Sequence, residues 1–213
     1  MIYLNYKLLK IKKDIYAILV PDRYNLCMLF CRAQEFYESP NLKFRNKSFS
    51  IWEYYNWYSQ NGDGCFSYVR DFCGFNLPLK TARKCYSLNK VETPYDKIFK
   101  NIISKIKSKD GYLIGCDKIN SSTFNHELCH ALYYTNKQYK KEMDKVTKFI
   151  SKDNINAFNK NLISKGYCLK VAKDEIQAYM ATEINKQMTK GMNNLKNINK
   201  QYKKIFDSFR LSQ

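Results

Sequence analysis

The stretch Thr123-Phe-Asn-His-Glu-Leu-Cys-His-Ala-Leu-Tyr-Tyr134 decides how the rest of this chain is interpreted. It contains both histidines of the sequence, His126 and His130, four residues apart. On an α-helix this spacing puts both imidazoles on one face, about one turn apart, where they can share one zinc ion. Glu127 lies one step round the helix, beside the metal, where a carboxylate can take a proton from a water molecule. The pattern therefore predicts a helix that carries a hydrolytic zinc site.

The residues around the two histidines favour a helix that packs into the protein body. Apolar side chains recur at helical spacing, at Phe124, Leu128, Ala131 and Leu132. Hydroxyl side chains that can cap a helix N-terminus precede them, at Ser121, Ser122 and Thr123. The alternative interpretation is a buried structural helix with two hydrogen-bonded core histidines.

Hydrophobic periodicity over the rest of the chain predicts a mainly helical α+β fold with a small antiparallel sheet. We expect a strand at residues 112–116 to form the edge of that sheet and to lead into the histidine helix. Other strands are predicted as a hairpin over residues about 3–20 and as a single run over 65–69. Helices are predicted over residues about 22–38, 49–60, 94–108, 136–150, 154–164, 173–188 and 195–209. We expect a single domain over residues 1–213, with an N-terminal α+β part (1–92) and a helical metal-site part (93–213).

Two histidines cannot hold a catalytic zinc ion alone, because three protein ligands plus a water are needed. The chain has no third histidine, so the third ligand must be an Asp, Glu or Cys side chain. The acidic candidates downstream are Glu142, Asp144, Asp153, Asp174, Glu175, Glu183 and Asp207. Glu175 is favoured, ahead of Glu183 and then Asp174, because its helix is the most apolar one. Small neighbours, Ala172 and Ala178, would let that helix approach the histidine helix closely.

Two neighbours of Glu175 are candidates for supporting roles. Asp174 is a plausible acceptor for the ring N–H of a metal-binding imidazole. Tyr179 follows one turn after Glu175 and is a candidate donor to a developing oxyanion, although packing is the alternative role for such an aromatic residue.

A strand, a His-Glu-x-x-His helix and a downstream helix with Asp-Glu-x-x-Ala-Tyr together resemble small gluzincin-type zinc metallopeptidases, over about residues 111–183. The resemblance implies a zincin-like fold in which His126, His130 and Glu175 bind one zinc ion per chain. It also implies that Glu127 is the general base and acid, and that an extended peptide adds to an edge strand at 112–116. The chain departs from larger gluzincins at Tyr179, where a Glu-x-x-x-Asp pattern is usual.

The sequence thus predicts a zinc-dependent metallopeptidase, a hydrolase acting on a peptide or protein substrate. The main alternative is a non-catalytic zincin-fold binding protein that contacts nucleic acid through its lysine-rich surface. A zinc amidase acting on a non-peptide amide is a third alternative, which the motif does not separate from a peptidase. The net charge of +18 comes mainly from lysines spread along the chain. The sequence is also rich in Asn, Ile and Tyr, which like Lys have AT-rich codons. Composition bias is therefore a sufficient explanation, and nucleic acid is not favoured as a partner.

The cysteine content and the hydropathy of the sequence indicate where in the cell the protein is expected. The eight cysteines include no Cys-x-x-Cys pair and are too sparse for a disulfide scaffold, which indicates a reducing environment. No apolar run approaches the ~18 residues that cross a bilayer, and no secretory signal is evident. We expect an intracellular, cytoplasmic location and no membrane partner, and the sequence leaves the oligomeric state open.

Overall fold

The computed structural model describes residues 3–165, 167–182 and 186–211. The chain divides into two compact units, Met1–Ile119 and Asn120–Gln213. In the described residues, the first unit contains four strands and the second is helical. The predicted α+β class, mainly helical with a small sheet, is confirmed. Residues 93–119, which we expected in the helical part, belong to the first unit. The expectation of a single domain stays a prediction.

The first unit is built on a sheet with the strand order β1-β2-β4-β3. The strands are β1 (Lys7–Lys12), β2 (Ile15–Leu19), β3 (Phe75–Pro78) and β4 (Tyr112–Cys116). β1 and β2 form the predicted antiparallel hairpin, which turns at Asp14 with a φ of 61°. β4 has the predicted bounds and pairs parallel to β2 and antiparallel to β3.

The expected position of β4 at the edge of an antiparallel sheet is wrong. β4 lies between β2 and β3, so the sheet is mixed and both sides of β4 are hydrogen-bonded. All five of its residues are buried, as in strands covered on both faces, and the long connection from β2 permits parallel pairing. An added peptide could not pair with β4, because the free edges of the described sheet belong to β1 and β3.

The described part of the first unit also contains five helices: α1 (Arg23–Glu38), α2 (Ile51–Asn61), α3 (Tyr68–Asp71), α4 (Leu79–Leu88) and α5 (Pro94–Ser104). Asp22 caps α1 by accepting from the backbone N–H of Asn25, and Ser50 caps α2 with a capping box. The predicted strand over residues 65–69 is wrong, because residues 68–71 form the single helical turn α3 and the strand follows at β3.

Aromatic packing joins α1 to the sheet of the first unit. The Phe30 ring lies 5.2 Å from that of Phe75 and 5.1 Å from that of Phe99, measured between centroids. Gly115 of β4 lies under Phe30, where an added Cβ would come within 2.5 Å of the ring. A buried ion pair, from Arg32 Nε to Asp96 Oδ1 at 3.0 Å, ties α1 to α5.

The second unit contains α6 (Ser122–Thr135), α7 (Lys137–Thr147), α8 (Lys152–Ser164), a short 3-10 helix (Leu169–Val171), α9 (Ala172–Thr182) and α10 (Lys196–Leu211). α9 contacts α6, α7 and α10. Asn136 separates α6 from α7, and its side chain caps α7 by accepting from the backbone N–H groups of Gln138 and Tyr139. Among the described residues, no helix is both long and apolar enough to cross a membrane.

Candidate metal centre

The histidine helix places both imidazoles as the sequence predicts. His126 and His130 lie one turn apart on α6 and are 8% and 3% exposed. Their Nε2 atoms are 3.2 Å apart, and their rings are nearly perpendicular. Ser121 accepts from the backbone N–H of Phe124 and so fixes the start of this helix one turn before the first histidine.

The hydrogen-bond partners of the other ring nitrogens define the tautomers. His130 Nδ1 lies 2.9 Å from Asp174 Oδ1, so this nitrogen carries the hydrogen and donates it to the carboxylate. His126 Nδ1 lies 3.4 Å from Thr182 Oγ1, whose own hydrogen is donated to the carbonyl of Ala178 at 2.7 Å. With both Nδ1 atoms protonated, two Nε2 lone pairs face each other across 3.2 Å. A shared proton or a metal cation is needed to stabilise such a pair.

Glu175 supplies the third side of the group. Its Oε2 atom lies 3.9 Å from His126 Nε2 and 3.8 Å from His130 Nε2, and it is buried without a hydrogen-bond partner. A point equidistant from the three atoms lies about 2.1 Å from each, the length of a zinc–nitrogen or zinc–oxygen bond. Within the described ranges, these three side chains are the one cluster of His, Cys, Asp or Glu placed to hold a metal ion.

The electrostatics of the three side chains agree with their geometry. Burial raises the pKa of Glu175 to about 7, with His130 opposing the rise and the nearby carboxylates of Asp174 and Glu127 adding to it. Burial, followed by the proximity of His130, lowers the pKa of His126 well below its ordinary value. Burial also disfavours a charge on His130, but the carboxylates of Asp174 and Glu175 outweigh it and raise its pKa. A buried carboxylate oxygen without a hydrogen-bond partner, beside the neutral imidazole of His126, is an environment that a cation would complete.

The structure places the remaining predicted site residues as follows. Glu127 is buried on α6, and its charge contributes to the raised pKa values of His130 and Glu175. Asp174 contacts His130, as expected for a supporting acceptor. Tyr179 packs its ring 4.5 Å from that of His126. Glu183, the second choice for a ligand, lies outside the described residues.

Three other acidic candidates have partners away from the histidines. Glu142 accepts from Gln138, Asp144 accepts from Tyr133, and Asp207 pairs with Lys203. None of the three belongs to the cluster that could hold a metal ion.

Sequence reasoning missed Tyr167, which lies between α8 and the 3-10 helix. Burial raises the pKa of its hydroxyl, and the charge of Glu175 and a hydrogen bond with Tyr179 add to the rise. The hydroxyl therefore feels the charge of Glu175, although the residue as a whole is 36% exposed. The segment has no periodic pattern, so only its position between the histidines and Glu175 could have drawn attention to it.

Comparison with known proteins adds no family to this picture: no family model, no curated protein and no solved structure matches the chain significantly. The site is therefore interpreted from its own geometry.

Proposed function

We propose that this chain is a zinc-dependent metallopeptidase of the gluzincin-like type, which hydrolyses peptide bonds in a peptide or protein substrate. The observation that carries the proposal is the unpartnered, buried Glu175 Oε2 facing two imidazole Nε2 atoms at distances suited to a small cation. Two imidazoles and one carboxylate form a donor set typical of catalytic zinc, which keeps a fourth position for water. His126, His130 and Glu175 would hold the ion.

The chemistry divides among a few residues of the second unit. A bound zinc ion supplies Lewis acidity toward the scissile carbonyl and lowers the pKa of water. Glu127 accepts the proton of the attacking water and passes it to the leaving amine. Asp174 holds the ring of His130 in the tautomer that leaves Nε2 free. The hydroxyls of Tyr167 and Tyr179 are the candidate donors to the negative charge that develops on the carbonyl oxygen.

The test combines metal analysis with digestion of a peptide library. We expect purified protein to carry one zinc ion per chain and to cleave peptides, with activity lost to a chelator and restored by zinc. Glu127→Gln should keep the zinc and lose at least about 100-fold in turnover, as expected when a general base is removed. Glu142→Gln is the matched control, because that carboxylate accepts from its helix neighbour Gln138, away from the histidines, and the substitution should leave turnover unchanged.

Two results would overturn the proposal. Absence of bound zinc after supplementation would remove the metal site, and cleavage that survives Glu127→Gln would remove the general base. Stoichiometric zinc without cleavage of any peptide would favour the non-catalytic binding protein instead.

A further inference from the structure

A line of hydrogen bonds leads away from the candidate metal centre into α7. Asp174 Oδ1, the partner of His130 Nδ1, also accepts from Gln177 Nε2 at 3.0 Å. Gln177 Oε1 in turn accepts from the hydroxyl of Tyr139 at 3.0 Å. Three helices, α6, α9 and α7, are thereby joined through side chains that end on one imidazole ring.

The direction of each bond in this line is determined by its neighbours. A carboxylate oxygen accepts only, so the Gln177 side chain must present its amide nitrogen to Asp174. Its oxygen then faces Tyr139, which must donate. The opposite amide orientation would place Gln177 Oε1 against Asp174 Oδ1, and two acceptors would repel each other.

Burial makes the line a strong constraint. Gln177 and Tyr139 are both 0% exposed, so water cannot replace either partner. The Asp174 side chain is 29% exposed and has access to solvent. Gln177 is therefore the group that holds the carboxylate toward His130 against competing water.

We propose that Gln177 and Tyr139 are positioning residues for metal binding, which act on His130 through Asp174. The inference rests on the metal site of the proposed function and deepens it. Tyr139 fixes the amide of Gln177, Gln177 fixes Asp174, and Asp174 holds the imidazole with Nε2 directed toward the other two ligands.

The size of the effect follows from the distance to the metal ligand. Loss of a partner that contacts a ligand imidazole lowers metal affinity about 10- to 100-fold. Gln177 and Tyr139 act one and two steps further out, so we expect losses of about 3- to 10-fold for Gln177→Met and for Tyr139→Phe, below that range.

The experiment measures zinc affinity of the full chain by competition with a chromogenic chelator at one pH. Tyr202→Phe is the matched control, because Tyr202 is equally buried in the same unit and its hydroxyl hydrogen-bonds with Thr147 instead of with the Gln177 line. A second readout is the ring N–H of His130 in zinc-loaded protein labelled with 15N-histidine. The chain has two histidines, so the spectrum contains four ring nitrogens. We expect the His130 Nδ1–H to exchange with water faster in the Tyr139 and Gln177 variants and unchanged in Tyr202→Phe.

A double variant tests the order of the line. Tyr139 also contacts the thiol of Cys129, so Tyr139→Phe could disturb α6 directly. If Tyr139 acts through Gln177, Tyr139→Phe should have no further effect on zinc affinity in the Gln177→Met background. Additive losses would overturn the proposed order.

The other outcomes are distinct. Wild-type zinc affinity and exchange in folded Gln177→Met protein would overturn this inference while leaving the proposed function intact, and so would an equal loss in Tyr202→Phe. If Tyr139→Phe does not fold, the Gln177→Met measurement decides alone. Failure of the wild-type chain to bind zinc would overturn the proposed function, and this inference with it.

Discussion

Replacing Glu175 by glutamine should change the stability of the second unit in opposite directions with and without zinc. The substitution keeps the shape of the side chain and removes its charge. The pKa of Glu175 rises from its ordinary 4.5 to about 7, because burial, despite His130, disfavours the charged form. At about 1.4 kcal/mol for each tenfold change in proton affinity, the charged carboxylate costs the zinc-free fold up to about 3 kcal/mol.

The sign of the pH dependence follows from the same shift. The folded state keeps the proton of Glu175 to a higher pH than the unfolded state does, so stability is lost as pH rises from about 4.5 to about 7 and is then constant. Zinc-free Glu175→Gln should therefore be more stable than wild type by up to about 3 kcal/mol at pH 8, and by less than about 1 kcal/mol near pH 5.

Bound zinc should stabilise the second unit of the wild-type protein more than that of the Glu175→Gln variant. At free zinc 100 times the wild-type Kd, bound metal adds about 2.7 kcal/mol to wild type. A variant that binds at least 100-fold more weakly gains less than about 0.5 kcal/mol. Both tryptophans lie in the first unit, so fluorescence does not report on this site, and hydrogen exchange of peptides from α6 and α9 is the suitable assay. Lower zinc-free stability of the variant at pH 8, or equal stabilisation of both proteins by zinc, would refute the reasoning.

Three further predictions concern the support of the site and the first unit. Asp174→Asn should lower zinc affinity about 10- to 100-fold in a chelator competition, and an unchanged affinity would contradict the role of its charge. Glu35 is buried and accepts from Tyr68 at 2.9 Å, and burial raises its pKa to about 7. Glu35→Gln should therefore stabilise the first unit by up to about 3 kcal/mol above pH 7 and by little near pH 4.5. Tryptophan fluorescence during urea unfolding measures this difference. Gly115→Ala should destabilise the same unit by about 1–3 kcal/mol, because its Cβ would overlap the Phe30 ring, and wild-type stability would show that the ring can move.

Local patterns in the sequence predicted much of the fold because they report on short-range physics. The bounds of β4 and the cap of α6 follow from residue type and spacing alone. The position of β4 inside the sheet does not, because strand pairing is decided by partners almost a hundred residues away, such as Ala17 opposite Ile114. The prediction of a strand at 65–69 was wrong for a related reason. Tyr68 is buried there by its contacts with Phe72 and Phe75, and those contacts are equally available to a helical turn.

In the candidate site, too, local spacing could be predicted from the sequence and long-range contacts could not. The two histidines could be paired from their spacing, because a helix brings residues four apart together. Glu175 could be favoured only through the apolar character of its helix, and Tyr167 had no local signal. The hydrogen bond between Gln177 and Tyr139 joins α9 to α7. The hydrophobic periodicity of either helix alone does not predict which polar side chains of the two helices meet.

The adjacent carboxylates of Asp174 and Glu175 have different surroundings although they are consecutive in the chain. Successive residues on a helix are separated by about 100° of rotation, so the two side chains leave α9 in different directions. Each carboxylate faces a different nitrogen of the His130 ring: Asp174 lies 2.9 Å from Nδ1, and Glu175 lies 3.8 Å from Nε2. Asp174 has a hydrogen-bond donor and access to water, whereas Glu175 Oε2 has neither. A proton on His130 satisfies the first carboxylate. The second must either keep a proton itself, as its raised pKa allows, or face a cation, and the two imidazole nitrogens beside that oxygen are placed to hold a metal ion with it.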